Sequence, residues 1–326
     1  MNLLEVTDLQ KHFPTYSQKL LRKPGAPVKA VDGLSLTLNP GETLGLVGES
    51  GCGKSTAGRT ILRLLQPSGG KIEFEGRDVT HLEGDGLRLL RRDMQMVFQD
   101  PYGSLNPRHP VGAIIAAPFE IQGVKPAGGV KRAVQDLMAM VGLNPEHYNR
   151  YPHEFSGGQR QRIGVARAVA LKPKLVVCDE PVSALDVSIQ AQVINLLEDI
   201  QAEQNLAYVF IAHDLSVVRH ISDRVMVMYL GRTMEVTDRD TLYERPMHPY
   251  TQALLSAVPV PEPRGDRDRI LLTGDLPSPQ DPPSGCVFRT RCPYAVERCA
   301  AEVPLPVEVE PGHVVACHFP AIRNVA

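Results

Sequence analysis

Apolar and polar positions along this chain fall into blocks whose period changes. Short runs with strand character lie at Leu34–Leu38, Thr43–Val47, Lys71–Phe74, Met94–Phe98, Leu175–Cys178, Tyr208–Ile211 and Arg224–Met228. Runs with apolar residues every three or four positions lie at Lys54–Leu65, Val130–Val141, Gly157–Leu171, Ile189–Gln204 and Leu215–Ile221, the spacing of helices with one buried face. β-meander material at the front gives way to alternating strands and helices. This order predicts an α/β fold with a mostly parallel core.

Residues from about 100 to 165 read as a helical subdomain, entered through the proline-bounded turn "QDPYGSLNPR". Thr15–Gly33 is basic at Lys19, Arg22, Lys23 and Lys29 and reads as a solvated loop. Beyond "MYLGRTME" the composition shifts. Glu244–Pro259 predicts one short amphipathic helix bracketed by prolines. The proline-dense stretch through Pro259, Pro261, Pro263, Pro277, Pro279, Pro282 and Pro283 is expected to be ordered only by docking onto the core.

Composition narrows the classes. A chain of 326 residues is long enough for a substantial core, and a net charge of -2 gives no basic stripe for nucleic acid. The opening "MNLLEVTDLQKHF" lacks the basic start and apolar run of a secretory signal, and no run reaches the roughly 18–20 apolar residues that cross a bilayer. The expectation is a soluble, cytosolic protein, where disulfides do not persist.

The chemistry begins at "LGLVGESGCGKST". An apolar strand runs into a glycine-rich loop and then a helix, with Gly48-x4-Gly53-Lys54-Ser55 in the spacing of a P-loop. Small residues let backbone N–H groups turn onto phosphate oxygens, and the helix N-terminus adds the positive end of its dipole. Lys54 is placed to reach the β- and γ-phosphates and Ser55 to give its hydroxyl to magnesium. Cys52, inside the loop, reads as a small filler.

A second buried run, "KLVVCDEP", ends in Asp179 and Glu180. Two carboxylates at the C-terminal end of a strand suit a phosphate site at a parallel sheet edge: Asp179 for magnesium, Glu180 to polarise a water. Upstream, Ser156 reads as an N-cap, and Gly157 and Gly158 open a second helix terminus able to meet an anion. One nucleotide does not need two such cradles, but a dimer does, if each chain's "SGGQ" closes over the nucleotide held by the other.

Together these motifs closely resemble the nucleotide-binding subunit of an ATP-binding cassette (ABC) transporter, from Leu3 to about Arg245. The resemblance implies a P-loop NTPase fold: a RecA-like core, an antiparallel β subdomain and a helical subdomain. Gly48, Ser50, Gly51, Gly53, Lys54, Ser55 and Thr56 are similar to the Walker A loop, and Leu175–Glu180 to the Walker B strand. Ser156, Gly157, Gly158 and Gln159 match the family signature that meets ATP in trans. The resemblance further implies that Gln99 is the Q-loop contact to magnesium and water, Asp186 part of the D-loop, and His213 the switch histidine at the γ-phosphate. Phe13 lies where the family often stacks an aromatic on adenine, with Tyr16 as its competitor. The face just after Gln99 is the candidate contact for a permease coupling helix.

The tail, "GDLPSP" and the cysteine cluster included, looks like that of ATPase subunits serving dipeptide and oligopeptide importers and their nickel relatives. What the resemblance implies is an ATP-hydrolysing subunit for peptide uptake, peripheral on the cytoplasmic face of the membrane. Its partners are two permease subunits, a second and different ATPase subunit, and an extracytoplasmic binding protein. Nickel or another small solute is the alternative cargo. The domain reading is residues 1–245 for the ATPase and 246–326 for a small extension.

The extension carries Cys286, Cys292, Cys299 and Cys317. Their gaps are wider than the short knuckles of structural zinc sites and suit an iron–sulfur cluster, which also takes four thiolates. Similar peptide-importer subunits imply a [4Fe-4S] cluster. Zinc, with His313 or His318 substituting, and free thiols are the alternatives. Under any metal reading the role is to pin the tail, with nothing near it expected to touch catalysis.

Two rival classes make visible demands. A non-transport ABC ATPase of DNA repair needs long coiled-coil arms, and one of ribosome work generally needs two cassettes in one chain. A non-catalytic partner would show a substituted Glu180 or a broken SGGQ, and both are intact.

Overall fold

The computed structural model describes residues 2–16, 24–100, 102–258 and 270–321. They fall into two compact units, Met1–Leu38 with Thr43–Thr80 and Ala212–Ala326, and Asn39–Glu42 with His81–Ile211.

The first unit holds an antiparallel sheet in the order Pro24–Leu38, Leu4–Tyr16, Gly69–Phe74, Arg77–Asp78. Leu4 and Val6 point into the core while Glu5 and Thr7 face out, as period-two alternation requires. The alternation would then expose Leu9. A bulge intervenes, with Asp8 at φ 49°, and Leu9 returns to the interior at 0% exposure.

The expected loop over Thr15–Gly33 is corrected here. Much of it is strand, because Phe13 and Thr15 pair with Val28 and Gly25 and the long strand Pro24–Leu38 continues to the core residues Val31 and Leu34. The basic residues Lys19, Arg22 and Lys23 lie outside the described residues, as do Pro259, Pro261, Pro263 and the side chain of Tyr16.

The same unit carries the fully buried strand Thr43–Val47, parallel to Arg224–Tyr229. Arg232–Asp238, His313–Val315 and Val307–Glu310 then add antiparallel neighbours in turn, so the C-terminal tail extends this sheet. The expected helix Lys54–Leu65 stops at Ile61, because Arg63 turns into the left-handed region at φ 55°. Within Glu244–Pro259 the expected short helix runs over Pro249–Ser256. Arg239–Glu244 ends before Pro246, and Pro249 restarts the chain as the first residue of Pro249–Ser256, where its missing N–H costs nothing.

Rings from three separate segments seal the tail: Tyr229, Tyr250 and Phe288, with centroids 4.8–5.3 Å apart and edge or tilted geometry, all fully buried. Beside them Glu235, wholly buried, accepts the backbone N–H groups of Met247 and His248 and meets the His313 ring at 2.7 Å.

The second unit holds three parallel strands, Met94–Val97, Leu175–Asp179 and Ala207–Ile211, with Leu175–Asp179 in the middle. Its helices are Gly84–Asp93, Val111–Gln122, Val130–Met140, Gly157–Val169 and Val187–Gln204. Val111–Gln122 packs on both Val130–Met140 and Gly157–Val169, and Ile115, Val134 and Ile163 are buried on these helices.

Candidate nucleotide and hydrolysis residues

In the first unit the strand Thr43–Val47 delivers the glycine-rich loop. A Cβ at Gly48 would sit 2.2 Å from the Met228 carbonyl oxygen and one at Gly53 2.0 Å from that of Ala30, so only glycine lets the loop lie this close to its neighbours. Lys54, 4% exposed, opens the helix Lys54–Ile61 and donates to the Gly48 and Glu49 carbonyls at 2.7 and 2.9 Å. No acidic residue stands in that first turn, so its N–H groups and dipole are left for an anion. Ser55 and Thr56 follow, half-buried. Cys52 is buried and burial pushes its thiol up, which fits an inert filler.

In the second unit Asp179 ends its strand completely buried, and Glu180 follows with φ 46°. A non-glycine residue held in the left-handed region stores strain, and here the Glu180 N–H is tied to the Ile211 carbonyl at 2.9 Å. Gln99 Nε2 donates to Glu180 Oε2 at 2.8 Å, so two residues 81 positions apart that were read as catalytic are in direct contact. Ser156 caps Gly157–Val169 with a reciprocal capping box, accepting from Gln159 N–H at 3.3 Å while Gln159 Oε1 takes the Ser156 N–H at 3.0 Å. Gly158 is buried, and a Cβ there would meet Ile189 at 2.4 Å. Asp186, exposed, is the N-cap residue of Val187–Gln204.

His213, exposed, lies two residues beyond the strand Ala207–Ile211. Phe13 is half-buried on its strand, with the Lys11 ammonium 4.9 Å from its ring centroid.

The four tail cysteines converge. Cys286, Cys292, Cys299 and Cys317 line one small cavity with His248, Phe288 and His318, and none is in a disulfide. Burial and the three neighbouring thiols push Cys286 up to about 11. Convergence of four thiols suits a soft metal, but among the described residues no three His, Cys, Asp or Glu side chains form a group that would hold an ion. His313 drops out as a ligand because it faces Glu235, while His318 does line the cavity.

Sequence reading missed Glu49, Tyr250 and Arg291. The Arg291 guanidinium grips the Glu49 carboxylate with two bonds of 2.6 and 3.1 Å, across 242 residues of sequence. Tyr250 Oη accepts the Glu49 N–H at 2.9 Å. The tail therefore reaches the glycine-rich loop, in which Glu49 lies. The one available signal was a charged residue where a phosphate loop needs only small ones.

The ABC transporter family matches residues 31–183, and the oligopeptide/dipeptide transporter C-terminal region matches residues 234–299. The oligopeptide transport ATP-binding protein AppF of Bacillus subtilis (strain 168) is 58% identical over 320 residues, covering 97% of each chain. The chain belongs to this family of ABC transporter ATP-binding proteins. It is an ABC-type ATPase. OppF of Salmonella typhimurium, also an oligopeptide transport ATP-binding protein, is 54% identical over 97% of this chain and 95% of its own. Among solved structures, the dimeric post-hydrolysis ATP-binding cassette MJ0796 bound to ADP and Pi superposes with a TM-score of 0.64. It is 25% identical and covers 72% of this chain and 98% of its own. The ABC ATPase fold expected from the motifs is the fold found.

Proposed function

We propose that this ABC ATPase energises the uptake of dipeptides and oligopeptides across the cytoplasmic membrane. The observation that carries this is the match of residues 234–299 to the oligopeptide/dipeptide transporter C-terminal region, alongside near-full-length likeness to oligopeptide transport proteins. The loop Gly48–Thr56 holds the phosphates, with Lys54 exchanging its two carbonyl partners for β- and γ-phosphate oxygens. Phe13 stacks on adenine. Ser55, Gln99 and Asp179 supply hydroxyl, amide and carboxylate oxygens, a hard donor set that fits magnesium. Magnesium, when bound there, would supply positive charge that neutralises the phosphates.

Glu180, oriented by Gln99, takes the hydrogen bond of the attacking water, and His213 meets the γ-phosphate. Ser156, Gly157, Gly158 and Gln159, with Asp186, close over the nucleotide of a second, homologous ATPase subunit. Two permease subunits and an extracytoplasmic peptide-binding protein complete the transporter, and the chain sits at the cytoplasmic membrane face. Residues 1–245 form the ATPase domain and 246–326 its extension. This is a division of role and not of packing, since residues on both sides of 245 share one compact unit.

The test is uptake of a radiolabelled dipeptide and a longer peptide in cells lacking this chain. Complementation by the wild-type gene should restore uptake to the parental rate. Restored nickel uptake with peptide uptake unchanged would move the cargo to the alternative.

The four convergent thiols support a second proposal, that Cys286, Cys292, Cys299 and Cys317 would hold a [4Fe-4S] cluster, which would pin the tail. Such a cluster demands wider spacing than one zinc ion does. Iron, zinc and acid-labile sulfide are to be measured on chain purified without oxygen. About four irons and four sulfides, lost in a Cys299→Ser variant, are expected. Zinc alone would make the site a zinc clip, and no metal would leave free thiols.

A further inference from the structure

The loop from Cys286 to Cys292 does two things besides carrying thiols. Phe288, 1% exposed, packs against both Tyr229 and Tyr250. Arg291, whose side chain is 8% exposed, reaches back to the phosphate loop and forms its two-bonded pair with Glu49. Planar guanidinium against planar carboxylate fixes orientation as well as distance, which a point charge would not.

Tyr250, seated in the ring cluster, fixes the same residue a second time by accepting its backbone N–H. Glu49 is thus held by side chain and main chain at once. Its carbonyl oxygen is one of the two that Lys54 contacts. The other side of the loop is tied as well, since the Cys52 carbonyl accepts the Gly231 N–H at 2.8 Å. A phosphate cradle works only if its N–H groups already point inward, so a loop held at Glu49 loses less order on binding than a free one.

We propose that Arg291 is a positioning residue for nucleotide binding, holding the phosphate loop through Glu49 in the geometry that receives ATP. Arg291 itself touches no nucleotide group in this assignment, and Tyr250 is its backbone counterpart. The proposal rests on the reading of Gly48–Thr56 as the phosphate cradle. It makes the cysteine-bearing loop a working part of the ATP site and not merely a clasp for the tail.

The test measures ATP affinity of the full chain with a fluorescent ATP analogue, and KM and kcat of ATP hydrolysis in the assembled transporter. Arg291→Ala should raise Kd and KM roughly tenfold, with kcat falling far less, because a displaced loop weakens binding before chemistry. Arg291→Lys should recover part of the affinity, and Glu49→Gln should reproduce the loss. The Glu49→Gln/Arg291→Ala double variant should be no worse than either single change, since both remove one interaction.

If Arg291→Ala fails to fold, Glu49→Gln, on a half-exposed side chain, carries the same test. Unchanged Kd and KM in folded variants, with only the melting temperature lowered, would overturn the proposal and leave the pair a structural staple. Lys54→Ala is the control for the underlying reading. If that variant binds ATP like wild type, the cradle assignment fails; if it loses ATP while Glu49→Gln does not, the cradle stands and Arg291 is not its positioner.

Discussion

Replacing Glu180 by glutamine should lower ATP turnover by at least about a hundredfold while ATP still binds. The side chain is the carboxylate held against Gln99 Nε2 at 2.8 Å on a backbone fixed at φ 46° by the Ile211 carbonyl. Glutamine keeps the shape and can still meet Gln99 through its own carbonyl oxygen. What it loses is the negative charge that polarises a water toward the γ-phosphate. Binding is expected to survive because Glu180 does not belong to the loop that holds the phosphates. Single-turnover hydrolysis together with equilibrium ATP binding separates the two effects. Turnover equal to wild type would remove Glu180 from its role. A combined loss of binding and turnover would mean that its contribution is to the nucleotide's seat.

Lys54→Ala should remove measurable ATP binding, with affinity falling roughly a hundredfold or more. Lys54 is 4% exposed, and its ammonium makes two charge-assisted bonds to the Gly48 and Glu49 carbonyls, at 2.7 and 2.9 Å. Bonds of this type contribute about 1.5–3 kcal/mol each, so two re-formed to phosphate oxygens amount to about 3–6 kcal/mol, which spans two to four decades in Kd. Alanine also takes the ammonium away from both carbonyls, leaving that of Glu49 with only the Cys52 N–H at 3.3 Å, so the loop should loosen even without nucleotide. Isothermal titration with ATP reads the first effect, and hydrogen exchange at Gly51–Gly53 reads the second. Retained affinity would overturn the reading of Gly48–Thr56 as the phosphate cradle.

The phosphate loop, the carboxylate pair and the signature were legible because each is local. A strand, a few glycines and a helix terminus follow one another in the chain, so the pattern that suggests a phosphate cradle lies within one short stretch. The strands Thr43–Val47 and Ala207–Ile211 were legible for a similar reason, being short apolar runs bounded by turns. The strand Leu4–Tyr16 was not, because its bulge at Asp8 breaks the alternation that marks a strand. The helix Val111–Gln122 hid behind Pro118 in its interior and apolar residues on several faces. The loop expected at Thr15–Gly33 was a misreading of glycine and proline in a strand lying at the edge of its sheet.

Residue types and their spacing alone therefore determined that this chain binds and hydrolyses nucleotide on an α/β scaffold, and which side chains are of the right kind. Tertiary structure decided which of them meet. Gln99 and Glu180 stand 81 positions apart, and Arg291 and Glu49 stand 242 apart. A pairing at such separation depends on sheet order and on where a tail docks, and neither leaves a periodic trace in the chain. The same holds for the cysteines. Their number and spacing suggested a common centre, but only the fold could show that Phe288, between the first two, is buried against Tyr229 and Tyr250 and that Arg291 is thereby carried to the phosphate loop.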